Sequence, residues 1–251
     1  MVFNRDSSYI RYVELVRDRI DSFTHYPFCL PAVKTLEVLP LHPKVTFFVG
    51  ENGTGKSTLL EAIAVCWGFN PEGGTNNFLF TSRATHSDLW KYIRLVKEAQ
   101  RPRDGFFFRA ESFYNLATYV EELDREAMGS RLIDSYGGRS LHEQSHGESF
   151  FAAFMNRFSG QGLYILDEPE AALSPLRQMA LLSRIHQLVK ENSQFIIATH
   201  SPIISAYPDS LIYQLSEDGF TETTYEETDN YQIIKNFIND RERMLRVLLE
   251  P

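Results

Sequence analysis

Residues Gly50-Glu51-Asn52-Gly53-Thr54-Gly55-Lys56-Ser57 fill every fixed position of the G-x-x-x-x-G-K-[ST] phosphate-binding loop. The run ahead of it, Val45-Thr46-Phe47-Phe48-Val49, is β-branched and aromatic and reads as a buried strand. Behind it, Leu59, Leu60, Ile63 and Trp67 recur at helical spacing. A glycine loop between a strand and a helix turns successive backbone N–H groups inward. It also sets them at a helix N-terminus, whose partial positive charge favours phosphate. The candidate nucleotide contacts are therefore Gly50, Glu51, Asn52, Gly53, Thr54, Gly55, Lys56, Ser57 and the neighbouring Thr58. Lys56 is placed to reach the β- and γ-phosphates, and the Ser57 hydroxyl to ligate Mg²⁺. The chain is expected to bind a nucleoside triphosphate.

Other apolar runs extend this pattern. Phe106-Phe107-Phe108, Leu163-Tyr164-Ile165-Leu166 and Phe195-Ile196-Ile197-Ala198 read as buried strands. Continuous apolar strands that alternate with helices imply an α/β fold with a mainly parallel core sheet covered on both faces. Tyr9–Val16 and Lys34–Leu39 read as strands of a β-rich N-terminal edge, and Phe69–Asn77 as a Gly/Pro/Asn-rich loop. Asp88–Gln100 has helical periodicity through Leu89, Tyr92, Ile93 and Val96, and Ser112–Glu122 is helix-like. Ser149–Phe158 reads as an amphipathic helix, and Ser174-Pro175 as the cap of another carrying Leu181, Ile185 and Leu188. Leu211–Leu215 and Phe220–Tyr225 form a hairpin pattern. A final helix covers much of Tyr231–Leu249, with Met244–Leu249 expected to pack on the chain's own core. The expectation is a single domain over 1–251, with a core lobe of 1–110 and 161–251 and a small helical lobe of 111–160.

A net charge of −8 over 251 residues argues against an enveloping nucleic-acid surface. The cluster Arg94, Lys97, Arg101 and Arg103 reads as a solvated face. Apolar runs such as Val45–Val49 are too short to span a bilayer, so no membrane insertion is expected. The N-terminus shows no signal segment, and a cytoplasmic location follows. Cys29 and Cys66 read as small core residues in a reducing compartment.

Four apolar residues run into Asp167-Glu168, which puts two acids at the carboxyl edge of the sheet, facing the phosphate loop. Asp167 is the expected Mg²⁺ partner, acting through water, and Glu168 the group that orients and deprotonates the attacking water. Pro169 is expected to bias Glu168 toward an extended backbone. The next strand ends in Thr199-His200-Ser201-Pro202, where His200 can reach a γ-phosphate.

The phosphate loop, Asp167-Glu168-Pro169-Glu170, Ala172-Leu173-Ser174-Pro175 and Ala198-Thr199-His200-Ser201-Pro202, taken in order, resemble the ABC-type ATPases. The nearer likeness is to the soluble SMC/RecF-like branch, here without a coiled coil. That resemblance implies Mg²⁺-dependent ATP hydrolysis coupled to a head-to-tail homodimer in the ATP-bound state. The family's L-S-G-G-Q signature loop is matched by Gln144-Ser145-His146-Gly147-Glu148, with Ser145 and Gly147 kept. Ser145, Gly147 and Glu148 would contact the partner's ATP, and Ala171–Ser174 would line the dimer seam. No glutamine follows Phe106–Phe108, so Glu111 is the nearest stand-in for the family's Q-loop residue and a candidate metal ligand. The resemblance further implies a switch for an effector encoded elsewhere, in nucleic-acid maintenance or defence, with nucleic-acid contact possible. Alternative readings are a transporter's ATPase subunit and an ATP-sensing module with little turnover.

His142-Glu143-Gln144-Ser145-His146 also matches the H-E-x-x-H zinc pattern. Gly137-Gly138 and Gly147 bracket it too closely for a long helix, so it reads as coincidence. Phe23, Tyr26 and Phe28 are candidates for stacking on adenine.

Overall fold

Strand pairing sorts the apolar runs into two sheets. The computed structural model describes residues 8–74, 87–112, 118–119, 121, 123–124, 132–136, 138 and 146–249. Strands β5 (Asp104–Arg109), β6 (Gly162–Asp167), β7 (Gln194–Ala198), β3 (Val45–Gly50), β8 (Leu211–Ser216) and β9 (Gly219–Thr223) lie side by side in that order. All run parallel except β9, which returns against β8 as a hairpin. A second sheet, antiparallel, joins β2 (Val38–Pro40), β1 (Ile10–Leu15) and β4 (Ile93–Lys97) in the order β2-β1-β4.

Every residue of β3, β6 and β7 is buried, as expected of strands covered on both faces. Alternate side chains go to opposite faces. On one, Phe47, Phe106, Phe108, Tyr164, Leu166, Phe195 and Ile197 pack with helices α3 (His146–Arg157) and α4 (Pro175–Lys190). On the other, Phe48, Phe107, Leu163, Ile165, Ile196 and Ala198 share a core with α2 (Lys56–Trp67) and the antiparallel sheet. A short helix, α1 (Pro31–Lys34), lies beside this second core, and α5 (Asp229–Asn239) and α6 (Arg241–Leu249) end the chain. The strand order brings the carboxyl ends of β3, β6 and β7 to one edge, where ligands bind in open parallel sheets. Gly50 ends β3 at φ +131°, so close to β8 that a Cβ there would lie 2.2 Å from the Leu215 carbonyl oxygen. Only glycine fits that exit into the phosphate loop.

Several expectations are corrected. Asp88–Gln100 is not a helix: a 3-10 turn at Asp88–Lys91 leads into β4. Ile93 and Leu95 are buried and Arg94 is exposed, and this period of two pairs with β1, which the helical spacing of the same residues masked. Lys34–Leu39 splits into the end of α1 and the start of β2, because Pro31 opens a helical turn. Helix α3 begins three residues earlier than Ser149. The terminal helix breaks at Asp240, whose carboxylate accepts the Arg243 N–H. Met244–Leu249 does not pack on the core: Val247 is 71% and Leu249 74% exposed. Cys29 is likewise exposed, and Cys66 is half-buried with its thiol on the Ile93 carbonyl. Among the described residues no helix is long and apolar enough to cross a membrane.

Candidate functional site

The phosphate loop leaves β3 at Gly50 and enters α2 at Lys56 through left-handed Gly55. Ala32 N–H bonds the Thr54 carbonyl at 3.0 Å, which fastens α1 against the loop. Lys56 is buried, and its Nζ donates to the carbonyls of Gly50 (2.9 Å) and Glu51 (2.6 Å). Burial pushes its pKa down, against the pull of Glu168, Asp167, Glu170 and Glu51. The lysine thus stands over a ring of backbone carbonyls, bonded to main-chain oxygens and not to a carboxylate.

Ser57 Oγ donates to Asp167 Oδ1 at 2.9 Å, across 110 residues of sequence. Desolvation pushes the Asp167 carboxyl up to about 7, while the Ser57 bond and the Arg109 guanidinium pull it down. Two hard oxygen donors meeting beside a phosphate cradle fit Mg²⁺, which is bound through a carboxylate, a hydroxyl and phosphates. Glu168 follows at the sheet edge, half-exposed, with Oε1 3.5 Å from His200 Nε2. Its backbone is not extended as Pro169 suggested: φ is 50° and ψ 55°. The Glu168 N–H is held by the Ala198 carbonyl, and its own carbonyl takes the Ala171 N–H. These bonds fix a left-handed residue at the point where β6 turns into a 3-10 turn, Pro169–Ala172.

The structure also brings together residues that the motifs did not single out. Arg109, at the end of β5 and in register with Asp167, donates through Nη1 to Glu61 Oε2 at 2.6 Å. Its Nε sits 3.9 Å from Asp167 Oδ2. Glu61, on α2 one turn beyond Ser57, accepts the Ser87 N–H with its other oxygen. The sequence signal was a charged pair flanked by apolar residues, Arg109 closing a strand and Glu61 inside a helix. Glu111 is 88% exposed and pairs with Arg109 Nη2 at 3.5 Å, so it is drawn to that guanidinium and not into the Ser57–Asp167 contact.

Gly147 lies in the first turn of α3, where a Cβ would meet the Ala172 carbonyl oxygen at 2.2 Å. The remnant of the signature loop therefore abuts the turn that follows the acids. Glu148 is exposed and bonded by Arg177 at 3.4 Å, another link between α3 and α4. Ser145 and the H-E-x-x-H residues His142 and Glu143 lie outside the described residues. Of the adenine candidates, Phe28 packs edge-on to Tyr92 and Phe23 lies under Arg17, while Tyr26 is exposed.

Comparison with known proteins agrees with this geometry. The family model described as AAA domain (AAA_23) matches residues 27–248. An uncharacterized ABC transporter ATP-binding protein of Haemophilus influenzae is 26% identical over 71% of this chain and 73% of its own length. The cobalt import ATP-binding protein CbiO of Salmonella typhimurium is 28% identical over 74% of this chain and 70% of its own. Among solved structures, CbiO1 from Clostridium perfringens, part of an ABC transporter complex, superposes with a TM-score of 0.51 at 17% identity, covering 97% of this chain and all of its own (100%). MJ1267, an ATP-binding cassette of an ABC transporter in its ADP conformation, gives 0.50 at 16% identity, over 98% and 100%. Phosphate loop, strand-end acids and sheet order, with a family match over most of the chain, lead to one conclusion: the chain belongs to the AAA domain family and is an ATPase similar to the ATP-binding subunits of ABC transporters.

Proposed function

We propose that this ATPase is an Mg²⁺-dependent switch whose two protomers close head to tail around two ATP molecules. The observation that carries the reading is the convergence of Ser57, Asp167, Glu168 and His200 at one sheet edge beside the phosphate loop. The loop amides and Lys56 would hold the β- and γ-phosphates, with Lys56 exchanging its bonds to Gly50 and Glu51 for phosphate oxygens. Ser57 and Asp167 would hold Mg²⁺, which neutralises charge developing on the phosphates. Glu168 orients water for in-line attack and takes its proton, and His200 lies within reach of the γ-phosphate it would sense. Burial lowers the Lys56 pKa, and its acidic neighbours pull against that lowering.

The composite site is supported by the close seat of Gly147 on Ala172, which presents the N-terminus of α3 beside the seam turn. In this reading Ser145, Gly147 and Glu148 of one protomer face the partner's γ-phosphate. Release of the shared γ-phosphate loosens the pair, and the motion is passed to an effector. Two contexts fit such a switch. The motif order favours a cytoplasmic ATPase of nucleic-acid maintenance or defence, whereas the names of its relatives favour pairing with a membrane transporter. Salt-dependent retention on DNA supports the first, and co-purification with a membrane protein supports the second.

The deciding experiment uses Glu168→Gln, which keeps the side chain's shape but cannot accept the water's proton. ATP binding should persist while turnover falls about 10²–10⁴-fold. With ATP the variant should elute as a dimer and wild type mostly as a monomer in size-exclusion chromatography. A monomeric variant at tens of micromolar overturns the composite site.

A further inference from the structure

The backbone of His200 is gripped from two sides. Its N–H donates to Glu170 Oε1 at 2.5 Å, and its carbonyl accepts from Asn230 Nδ2 at 3.1 Å. One residue on, Ser201 Oγ donates to Gln178 Oε1 at 2.6 Å, and Gln178 Nε2 donates to the Leu173 carbonyl at 2.9 Å. The imidazole itself is less constrained: Nε2 faces Glu168 and has no hydrogen-bond partner among the described residues. Glu170 sits in the turn Pro169–Ala172, between the strand-end acids and α4. Its buried carboxylate also takes the Thr199 hydroxyl, so two donors of the next strand's end converge on it, an arrangement that a purely space-filling role would not need. The far end of the same turn is the Ala172 carbonyl on which Gly147 rests.

We propose that Glu170 is a positioning residue that couples His200 at one ATP site to the signature helix α3 serving the other. The proposal rests on the composite-site reading above. Glu170 holds the histidine through a charge-assisted bond to backbone, so the imidazole cannot shift along its phosphate without moving the turn. The turn in turn cannot move without displacing Gly147, because nothing compressible separates it from the Ala172 oxygen. Loss of a γ-phosphate at one site thereby disturbs the helix N-terminus offered to the second, through contacts within one chain.

Three substitutions test this. Glu170→Ala removes the acceptor, Glu170→Asp keeps the charge but falls one methylene short, and Glu170→Gln keeps an acceptor oxygen in place. ATP affinity, measured with a fluorescent ATP analogue, should stay within about twofold of wild type in all three, since the phosphate loop is untouched. For Ala and Asp, kcat should fall about 10–100-fold, the cost of misplacing a reacting group by an ångström or so. The Hill coefficient for ATP should drop from above one to one in the same two variants, and Gln should restore both to within about threefold of wild type. Should Ala fail to fold, Asp and Gln decide between them. Wild-type kcat and Hill coefficient in Asp, a Gln variant as slow as Asp, or an affinity that falls in step with kcat would each overturn the coupling. A wild-type Hill coefficient of one, together with a monomeric Glu168→Gln, would instead bring down the composite site and the coupling with it.

Discussion

At the amino-terminal end of β6, Asp104 gathers donors on both oxygens, whereas at the carboxyl end the polar groups stand partly unmatched. Arg157 Nη1 reaches Asp104 Oδ1 at 2.9 Å and Oδ2 at 3.0 Å. The Tyr164 hydroxyl and the Ser159 N–H and Oγ all donate to Oδ2. The buried Tyr136 hydroxyl lies against the same Arg157 guanidinium. One strand length away, Arg109 Nε and His200 Nε2 are buried with no hydrogen-bond partner among the described residues, each only near a carboxylate, and Asp167 is held up to about 7 by desolvation. A closed network fixes the pitch of α3 against the sheet and has nothing left to offer a ligand. An open one costs stability and keeps donors and acceptors available for phosphate, metal and water. The same strand therefore serves stability at one end and chemistry at the other.

Asp104→Ala should have the largest effect on folding, about 3–5 kcal/mol, because it strands Arg157 in a half-buried site and releases Tyr164 and Ser159. The fraction that remains folded should bind ATP with unchanged affinity; a weakened affinity in that fraction would mean that the two ends are not separable. At the other end, Lys56→Ala should leave the apo protein about as stable as wild type. It should also abolish most of the roughly 2–3 kcal/mol of stabilisation expected from ATP with Mg²⁺ at about a hundredfold excess over Kd. A mutant melting curve that still shifts fully with ATP would place the nucleotide elsewhere.

A pH titration sharpens the contrast further. A carboxyl whose folded pKa is raised binds its proton more tightly folded than unfolded, so nucleotide-free, metal-free protein loses stability as pH rises from about 4 to about 7. Above the folded value the loss is complete. Asp167→Asn removes the buried charge and should raise apo stability by about 4 kcal/mol near pH 8, with little change near pH 3, where the aspartic acid is protonated in both the folded and the unfolded chain. An equal gain at both pH values would trace the effect to packing instead of charge.

Much of the site was legible because its residues are contiguous. Gly50–Ser57 and Asp167-Glu168 carry their chemistry in spacing alone, and the apolar runs beside them place both at strand ends. Asp88–Gln100 was misread because Leu89, Tyr92, Ile93 and Val96 satisfy two periods, and only pairing with β1 selects the strand. Arg109 and Glu61 stayed invisible because an ion pair across 48 residues has no local pattern. The exposed face of α6 was misjudged for a related reason. Periodicity reveals an apolar stripe, and it says nothing of whether the fold supplies a surface to cover it.

By itself, the sequence determined that the chain holds a phosphate loop between a buried strand and a helix, and acids at the end of another buried strand. Both follow from short-range stereochemistry: glycine φ, helix polarity and strand burial. Tertiary structure alone decided which groups meet. The order β5-β6-β7-β3 sets Ser57 on Asp167, Arg109 beside that same carboxylate, Glu170 under His200 and Ala172 against Gly147. Those contacts depend on strand order and on the left-handed turn at Glu168, which packing of the whole sheet imposes against the local preference of a residue before proline.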